Sequence, residues 1–491
     1  MRAMPDKRTY LNAVKALNSL QSNYATIQAA QAAGPQLDKA IPHMIEWARR
    51  AGYSPSDLDK LRVIHVTGTK GKGSVCAFVQ AILAQYPAAT GNKTGLYTSP
   101  HLKSVRERIR INGEPISKDL FTKYFFELFD RLSSSTSDLS IFPEFAPGIK
   151  PNYFRFLTLL SFHVFLSEGV KCAIYEVGIG GEYDSTNIVP HPVATGVTSL
   201  GIDHTNMLGN TIEEIAWNKG GIYKSSALAL SVPQSPAALK VLEDRAREKN
   251  TPFVVLDPNT SPVRSLKLGL PARFQYINAT LAVGLAKQFL LKSTPPIPDL
   301  NIDPNSPLPE KFIKGLETAS WPGRCQTVSD GPNLTWFLDG AHTHESITET
   351  GLWFKTVVSP KANHRVLIFN QQKRDAGALA ETLYNAIGSD TPSFDHVVFC
   401  TNVTWASGQY SAELTSINTS ATSVDSLIVQ KGLADAWAKI DPSSQRHIFP
   451  SIQEAVEFVK ALDGQTQVLV TGSLHLVGGL LAVFDGPDEE E

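Results

Sequence analysis

The sequence predicts an α/β fold, a largely parallel sheet wrapped by helices and followed by a second, smaller α/β domain. Three observations predict it. From Arg62 onward, short β-branched runs alternate with longer helical patterns, as in chains of βαβ units. The strand candidates 63–67, 172–177, 193–199 and 336–338 each run into a loop rich in Gly, Asp or His, the place where open α/β sheets bind ligands. The alternation stalls in the proline-rich stretch Pro295 to Pro309 and restarts after Pro322-Gly323-Arg324, with strand candidates 366–369, 397–400 and 468–471. With 491 residues the chain exceeds what one core supports. We therefore expect domains at 1–322 and 323–491.

At the start, Arg2, Lys7, Arg8 and Lys15 give a basic, acid-poor segment that resembles a mitochondrial presequence. Against that, Leu17, Leu20, Tyr24 and Ile27 recur at helical spacing, which favours a folded amphipathic helix. The expected compartment is the cytoplasm, with the mitochondrial matrix as the alternative. The most apolar run, Phe154 to Leu166, carries Arg155 and His163 and falls short of the roughly 20 apolar residues of a membrane helix. Ser133 to Asp138 reads as a polar insert and the acidic end Asp488 to Glu491 as a solvated tail. A formal net charge of -2 gives no long-range pull on nucleic acid or anionic lipid. The expected partners are small molecules, and the expected state is a monomer. Cys76, Cys172, Cys325 and Cys400 are far apart with no CxxC pair, so they read as reduced thiols.

The chemistry begins at Val66-Thr67-Gly68-Thr69-Lys70-Gly71-Lys72-Gly73-Ser74, which follows a strand and precedes the helical run Val75 to Tyr86. Glycines let backbone N–H groups curl around phosphate oxygens, and the helix N-terminus adds a positive dipole. Lys72 reaches the terminal phosphates and the Ser74 hydroxyl can approach Mg²⁺. The spacing departs from GxxxxGK[ST], and a Gly-rich turn without a ligand is the alternative reading. Glu176 closes an apolar strand, where a carboxylate is costly unless it is paired or binds a cation. Gly201-Ile202-Asp203-His204 ends the next strand, so Glu176 and His204 would project toward the loop as oxygen and imidazole ligands for Mg²⁺. A hydrogen-bonded loop histidine is the alternative for His204. Asn210 and Glu213 have capping-box spacing at the start of a helix that ends near Lys219 and Lys224, and lysines there oppose the helix dipole. Asp339 and His342 again follow a strand. A catalytic triad is the runner-up for that pair, but the chain has no Gly-x-Ser-x-Gly elbow.

Taken together these segments resemble the Mur ligase superfamily, and within it the folylpolyglutamate synthases, over nearly the whole length. The resemblance rests on Thr67 to Ser74, Tyr97 to Leu102 with Arg106 to Gly113, Tyr153 to Leu160, Glu176 to Ile188 and Gly201 to Gly209. It continues through Trp321 to Arg324, Asp339 to Thr343 and Thr471 to His475. It implies a Mur-ligase-like P-loop ATPase domain followed by a Rossmann-like C-terminal domain. It further implies ATP-dependent addition of L-glutamate to a reduced folate through an acyl phosphate. By the same resemblance Gly71, Lys72, Gly73 and Ser74 would bind ATP phosphates, and Ser99, Glu176 and His204 would hold Mg²⁺, with a monovalent cation such as K⁺ as a further ion. Asn278 would face adenine, Arg324 and Asp339 would reach the nucleotide, and Lys72, His204 and Lys219 would serve catalysis, Lys219 matching a lysine that is carbamylated in some members. The chain departs from the family pattern at Gly220, Ala272 and Gln371 to Asp375, none of them a phosphate or metal ligand. A dihydrofolate synthase, or a ligase for another small carboxylic acid, is the alternative.

Overall fold

The computed structural model describes residues 7–21, 37–293, 297, 300, 306–372, 375–388, 393–407, 413 and 427–486. Arg2, Tyr24, Ile27, Lys373, Arg374, most of Pro295 to Pro309 and the 488–491 tail lie outside them. The chain divides into two compact units. The first comprises 1–101, 105–269 and 275–320, and the second 102–104, 270–274 and 321–491.

In the first unit, β1 (Ile64–Thr67), β2 (Thr94–Tyr97), β3 (Ile109–Ile111), β4 (Glu114–Pro115), β5 (Cys172–Glu176), β6 (Ala194–Val197), β7 (Leu228–Ser231) and β8 (Phe253–Val255) form one sheet. Its order is β4-β3-β2-β5-β1-β6-β7-β8. All neighbours from β2 to β8 pair in parallel, and the β2–β3–β4 edge is antiparallel. β1, β2 and β5 are buried at every position, as parallel strands covered on both faces must be. β1 sits where the strand order reverses, with β5 and β2 on one side and β6 to β8 on the other. Loops leaving β1, β2, β5 and β6 therefore share one edge.

The apolar run at 154–166 is the helix Tyr153–Ser167, buried almost throughout and packed into the unit's largest core with Phe121, Phe125 and Tyr175. No helix among the described residues is long and apolar enough to cross a membrane. Near the N-terminus, Tyr10–Asn18 is a helix capped by the Thr9 side chain, with Ala13, Val14 and Leu17 buried. Two expectations shift. Ser133 and Ser134 belong to the helix Lys118–Ser134, so the polar insert begins only after them. The capping box is Thr211 with Glu214, not Asn210 with Glu213. The Thr211 hydroxyl accepts from the Glu214 amide, while the Glu214 carboxylate takes N–H bonds from both Thr211 and Asn210.

The second unit carries β9 (Gln326–Asp330), β10 (Leu334–Leu338), β11 (His364–Phe369), β12 (His396–Cys400), β13 (Gln445–Phe449) and β14 (Thr466–Thr471), in the order β13-β12-β11-β14-β10-β9. Only β9 runs antiparallel to its neighbour. Its two sides are covered by separate apolar clusters, one around Phe337, Phe354 and Trp437, the other around Trp336, Val468 and Leu476.

Candidate active site

The segment after Thr67 cannot be ordinary chain, because two of its residues have room for no side chain. Gly68 has φ +149°, and a Cβ there would lie 1.7 Å from Thr198 Oγ1. Gly71 has φ +88°, and a Cβ there would lie 2.2 Å from Asn278 Oδ1. The loop is then fixed from the β6 side. The Thr69 and Lys70 amides donate to the Ser199 carbonyl at 3.0 and 3.1 Å, and the Thr198 hydroxyl donates to the Lys70 carbonyl at 2.5 Å. These bonds turn the chain into the helix Lys72–Leu83, capped by Gly71. The first amides of that helix have no intrahelical acceptor, which suits them to an anion. A Gly71→Ala substitution would cost about 1–3 kcal/mol in backbone strain alone and displace Asn278. We expect it to weaken nucleotide binding by at least about tenfold with a modest loss of melting temperature, checked by calorimetric titration and thermal melts.

Two lysines meet on one oxygen. Lys72 Nζ donates to the Gly68 carbonyl at 3.0 Å, and Lys219 Nζ, from the end of the helix Ile212–Lys219, donates to the same carbonyl at 2.8 Å. Lys219 is only 3 % exposed. Burial first, and then the Lys72 charge, hold its pKa well below the ordinary lysine value, against the weaker pull of Asp203 and Asp184. Lys219 is thus a neutral amine over a pH range where a free lysine is charged.

Glu176 ends β5 opposite Val66 of β1 and is 5 % exposed. Its Oε2 accepts the Ser99 amide at 2.9 Å, so the two oxygen ligands expected from the sequence are adjacent. The Ser99–Pro100 peptide is cis. His204 lies on the far side of β1, exposed, in a left-handed turn at φ 53° that starts the short helix Thr205–Leu208. Partial burial of the ring lowers its pKa first. Asp203 opposes that, and Lys72, Lys219 and Lys70 lower it further, which leaves a neutral imidazole able to bind a cation. Asp203 pairs with Lys70 at 3.2 Å. Burial raises its carboxyl, but Lys70 and His204 outweigh that and bring it down to about 2. Among the described residues no three His, Cys, Asp or Glu side chains form a ready-made metal cluster. Hard oxygens from Ser99 and Glu176 nevertheless fit Mg²⁺, which keeps few protein ligands and takes the rest from phosphate and water.

Several residues that hold the site were not singled out from sequence. Asp184 accepts the Gly178, Ile179 and Thr186 amides. The Thr186 hydroxyl also donates to it at 2.6 Å and meets His65 Nε2 at 2.7 Å. That chain pins the turn after Glu176 to β1. Asn218 Oδ1 accepts the Gly181 amide at 3.0 Å, tying the same turn to the helix that delivers Lys219. Asn278, expected at adenine, is 3 % exposed and donates to Gln275 Oε1 at 2.9 Å.

Arg324 and Asp339 belong to the second unit. Asp339, after β10, accepts the Cys325 and Ala341 amides at 2.8 and 2.9 Å and the Thr350 hydroxyl at 3.1 Å. It thereby anchors the turn that presents Arg324, whose Nη1 reaches the Gly323 carbonyl at 3.1 Å.

The arrangement invites comparison with known proteins. A family model described as dihydrofolate synthetase, C-terminal domain, matches residues 325–483. Folylpolyglutamate synthases from several Saccharomyces cerevisiae strains are 52 % identical over 485 residues, covering 98 % of this chain and 88 % of theirs. Among solved structures, the apo form of L. casei FPGS aligns with a TM-score of 0.70 at 22 % identity, over 97 % of this chain and 100 % of that one. The Mycobacterium tuberculosis folylpolyglutamate synthase complexed with ADP aligns with a TM-score of 0.70 at 21 % identity, over 98 % of each chain. These two carry the fold, a two-unit Mur-ligase-like α/β architecture. The yeast relatives carry the lineage, since the match runs over 98 % of this chain and so spans both units. On that correspondence, the chain belongs to the folylpolyglutamate synthase family.

Proposed function

We propose that this chain is an ATP-dependent ligase that joins L-glutamate to the glutamyl tail of a reduced folate. The observation that carries the reading is the meeting, at one sheet edge, of the strained loop Gly68–Ser74, the lysine pair on the Gly68 carbonyl and the buried Glu176 beside Ser99. A carboxylate is a poor acyl donor. Transfer of the γ-phosphoryl group of ATP to it forms the P–O bond of an acyl phosphate and releases ADP. The neutral α-amine of glutamate then attacks the acyl carbon and expels phosphate. Lys72 and the first-turn amides from Gly73 and Ser74 would neutralise charge spread over the transferring phosphoryl oxygens. Mg²⁺, held by Ser99, Glu176 and His204, would add positive charge there. Arg324 and Asp339 are assigned to the nucleotide by family resemblance. We place the protein in the cytoplasm, with the mitochondrial matrix as the alternative that subcellular fractionation decides.

The state of Lys219 supports a finer assignment. A neutral, buried amine is the form that adds to CO₂, and the resulting carbamate would place an anion beside the Lys72 ammonium. With ¹³C-bicarbonate we expect a carbamate carbonyl resonance in the wild type that is absent from Lys219→Ala. Identical spectra would remove the carbamate from the account.

A second reading has its own support, because the matched C-terminal family model is described as a dihydrofolate synthetase. Phosphate release distinguishes the two. The first requires release from ATP only when a reduced folate and L-glutamate are both present. Release with dihydropteroate and glutamate, and none with tetrahydrofolate, would favour the second.

A further inference from the structure

We propose that Gln275 is a positioning residue for the phosphate-binding loop, fixing the direction of the Ser74 hydroxyl so that its second lone pair faces the metal and its proton faces phosphate. The proposal rests on the ATP reading above and adds a residue outside the loop to it.

The helix Gln275–Leu291 lies along Lys72–Leu83, burying Ala279, Ala282 and Ala286 among its contacts. Its first turn faces the start of the phosphate-binding helix. Gln275 is wholly buried, and its Nε2 donates to Ser74 Oγ at 3.3 Å. A glutamine amide has a donor end and an acceptor end, so it could present either to Ser74. In the structure the choice follows from Asn278. Its Nδ2 donates to Gln275 Oε1 at 2.9 Å, which forces the NH₂ end toward the serine. The Asn278 amide packs directly on Gly71, its Oδ1 occupying the space where a Cβ on residue 71 would be. Gly71, Asn278, Gln275 and Ser74 thus form a local circuit at the first helical turn, linked by the two amide hydrogen bonds and by the packing of Asn278 on Gly71.

The consequence falls on Ser74. A hydroxyl oxygen has two lone pairs and one proton. With one lone pair taken by Gln275, the other remains for a cation and the proton for a phosphate oxygen. Were residue 275 an acceptor, the serine proton would turn toward it and the hydroxyl would present lone pairs to phosphate, the wrong polarity. The circuit also explains why Asn278 is buried beside the loop while its amide is spent on a neighbouring side chain.

The test is calorimetric binding of the non-hydrolysable analogue AMPPCP, with Mg²⁺ and again with EDTA, to wild type, Gln275→Leu, Gln275→Glu, Ser74→Ala and the Gln275→Leu/Ser74→Ala double variant. Gln275→Glu preserves volume and the Asn278 bond while exchanging donor for acceptor, so it is the informative variant if Gln275→Leu folds poorly. We expect both Gln275 variants to bind about tenfold more weakly with Mg²⁺, the size of one lost buried hydrogen bond, with part of that loss persisting in EDTA through the bond from the Ser74 proton to phosphate. The double variant should be no weaker than Ser74→Ala. Wild-type affinity in the Gln275 variants, or losses that multiply in the double variant, would each overturn the proposal. So would melting temperatures lowered by more than about 10 °C in both, which would mark a purely structural residue. Failure of wild type to bind AMPPCP at all would instead overturn the ATP reading, and this proposal with it.

Discussion

Replacing Lys72 with alanine is expected to lower kcat at least about a thousandfold while leaving the fold intact. The ammonium is partly exposed at the start of its helix and rests on the Gly68 carbonyl, so its loss opens no cavity in the core. What is lost is positive charge aimed at the oxygens on which charge accumulates during phosphoryl transfer, an effect of about 10²–10⁵ in comparable sites. Lys72→Arg should recover little, because the planar guanidinium does not fit a loop shaped around a point charge. Phosphate release and circular dichroism on the same preparation check both halves of the prediction. Undiminished turnover in Lys72→Ala would count against the whole site.

The second large effect is expected at Glu176, where activity should fall while stability holds. Glu176→Gln keeps the volume and leaves an amide oxygen to accept the Ser99 amide. It removes a negative charge that is 5 % exposed at the end of an apolar strand. The volume and the Ser99 bond are kept, so in EDTA the variant should melt close to wild type. In Mg²⁺ its turnover should fall about a hundredfold and require more metal for half-maximal rate, as when a metal ligand or its support is lost. A variant that melts lower in EDTA yet keeps its Mg²⁺ requirement would mean that Glu176 is structural.

How much of this was legible beforehand follows from the range over which each interaction acts. β1, its glycine-rich loop and the following helix are contiguous, and their patterns of burial and backbone freedom can be read from Val63 to Leu83 in one pass. The same holds for β5 ending in Glu176 and for the strands of the second unit. The capping box was misplaced by one residue because Asn210 and Thr211 both precede a glutamate by three positions, and only the turn geometry selects Thr211. The antiparallel β2–β3–β4 edge went unread because two short strands leave almost no periodic signal. Partnerships between distant segments were not legible at all. Lys70 with Asp203, Lys219 with Gly68, and Gln275 with Ser74 become neighbours only when the sheet order is known. Asp184 carried a readable signal, since Asp-Ser-Thr at the start of a turn is a capping pattern. Its importance came from the Gly178 and Ile179 amides it also accepts, in the turn after Glu176. Asp339 shows the converse, a residue visible at a strand end whose oxygens hold the turn bearing Arg324.

The central claim is that the loop at Gly68–Ser74 drives ligation of glutamate to a folate. It is tested most directly by mass-resolved products from purified protein, ATP, Mg²⁺, tetrahydrofolate and L-glutamate. The account predicts tetrahydrofolate carrying one or more added glutamyl residues, formed with stoichiometric ADP and absent when ATP or glutamate is omitted or when Lys72 is alanine. Unchanged tetrahydrofolate in the presence of nucleotide binding would contradict it.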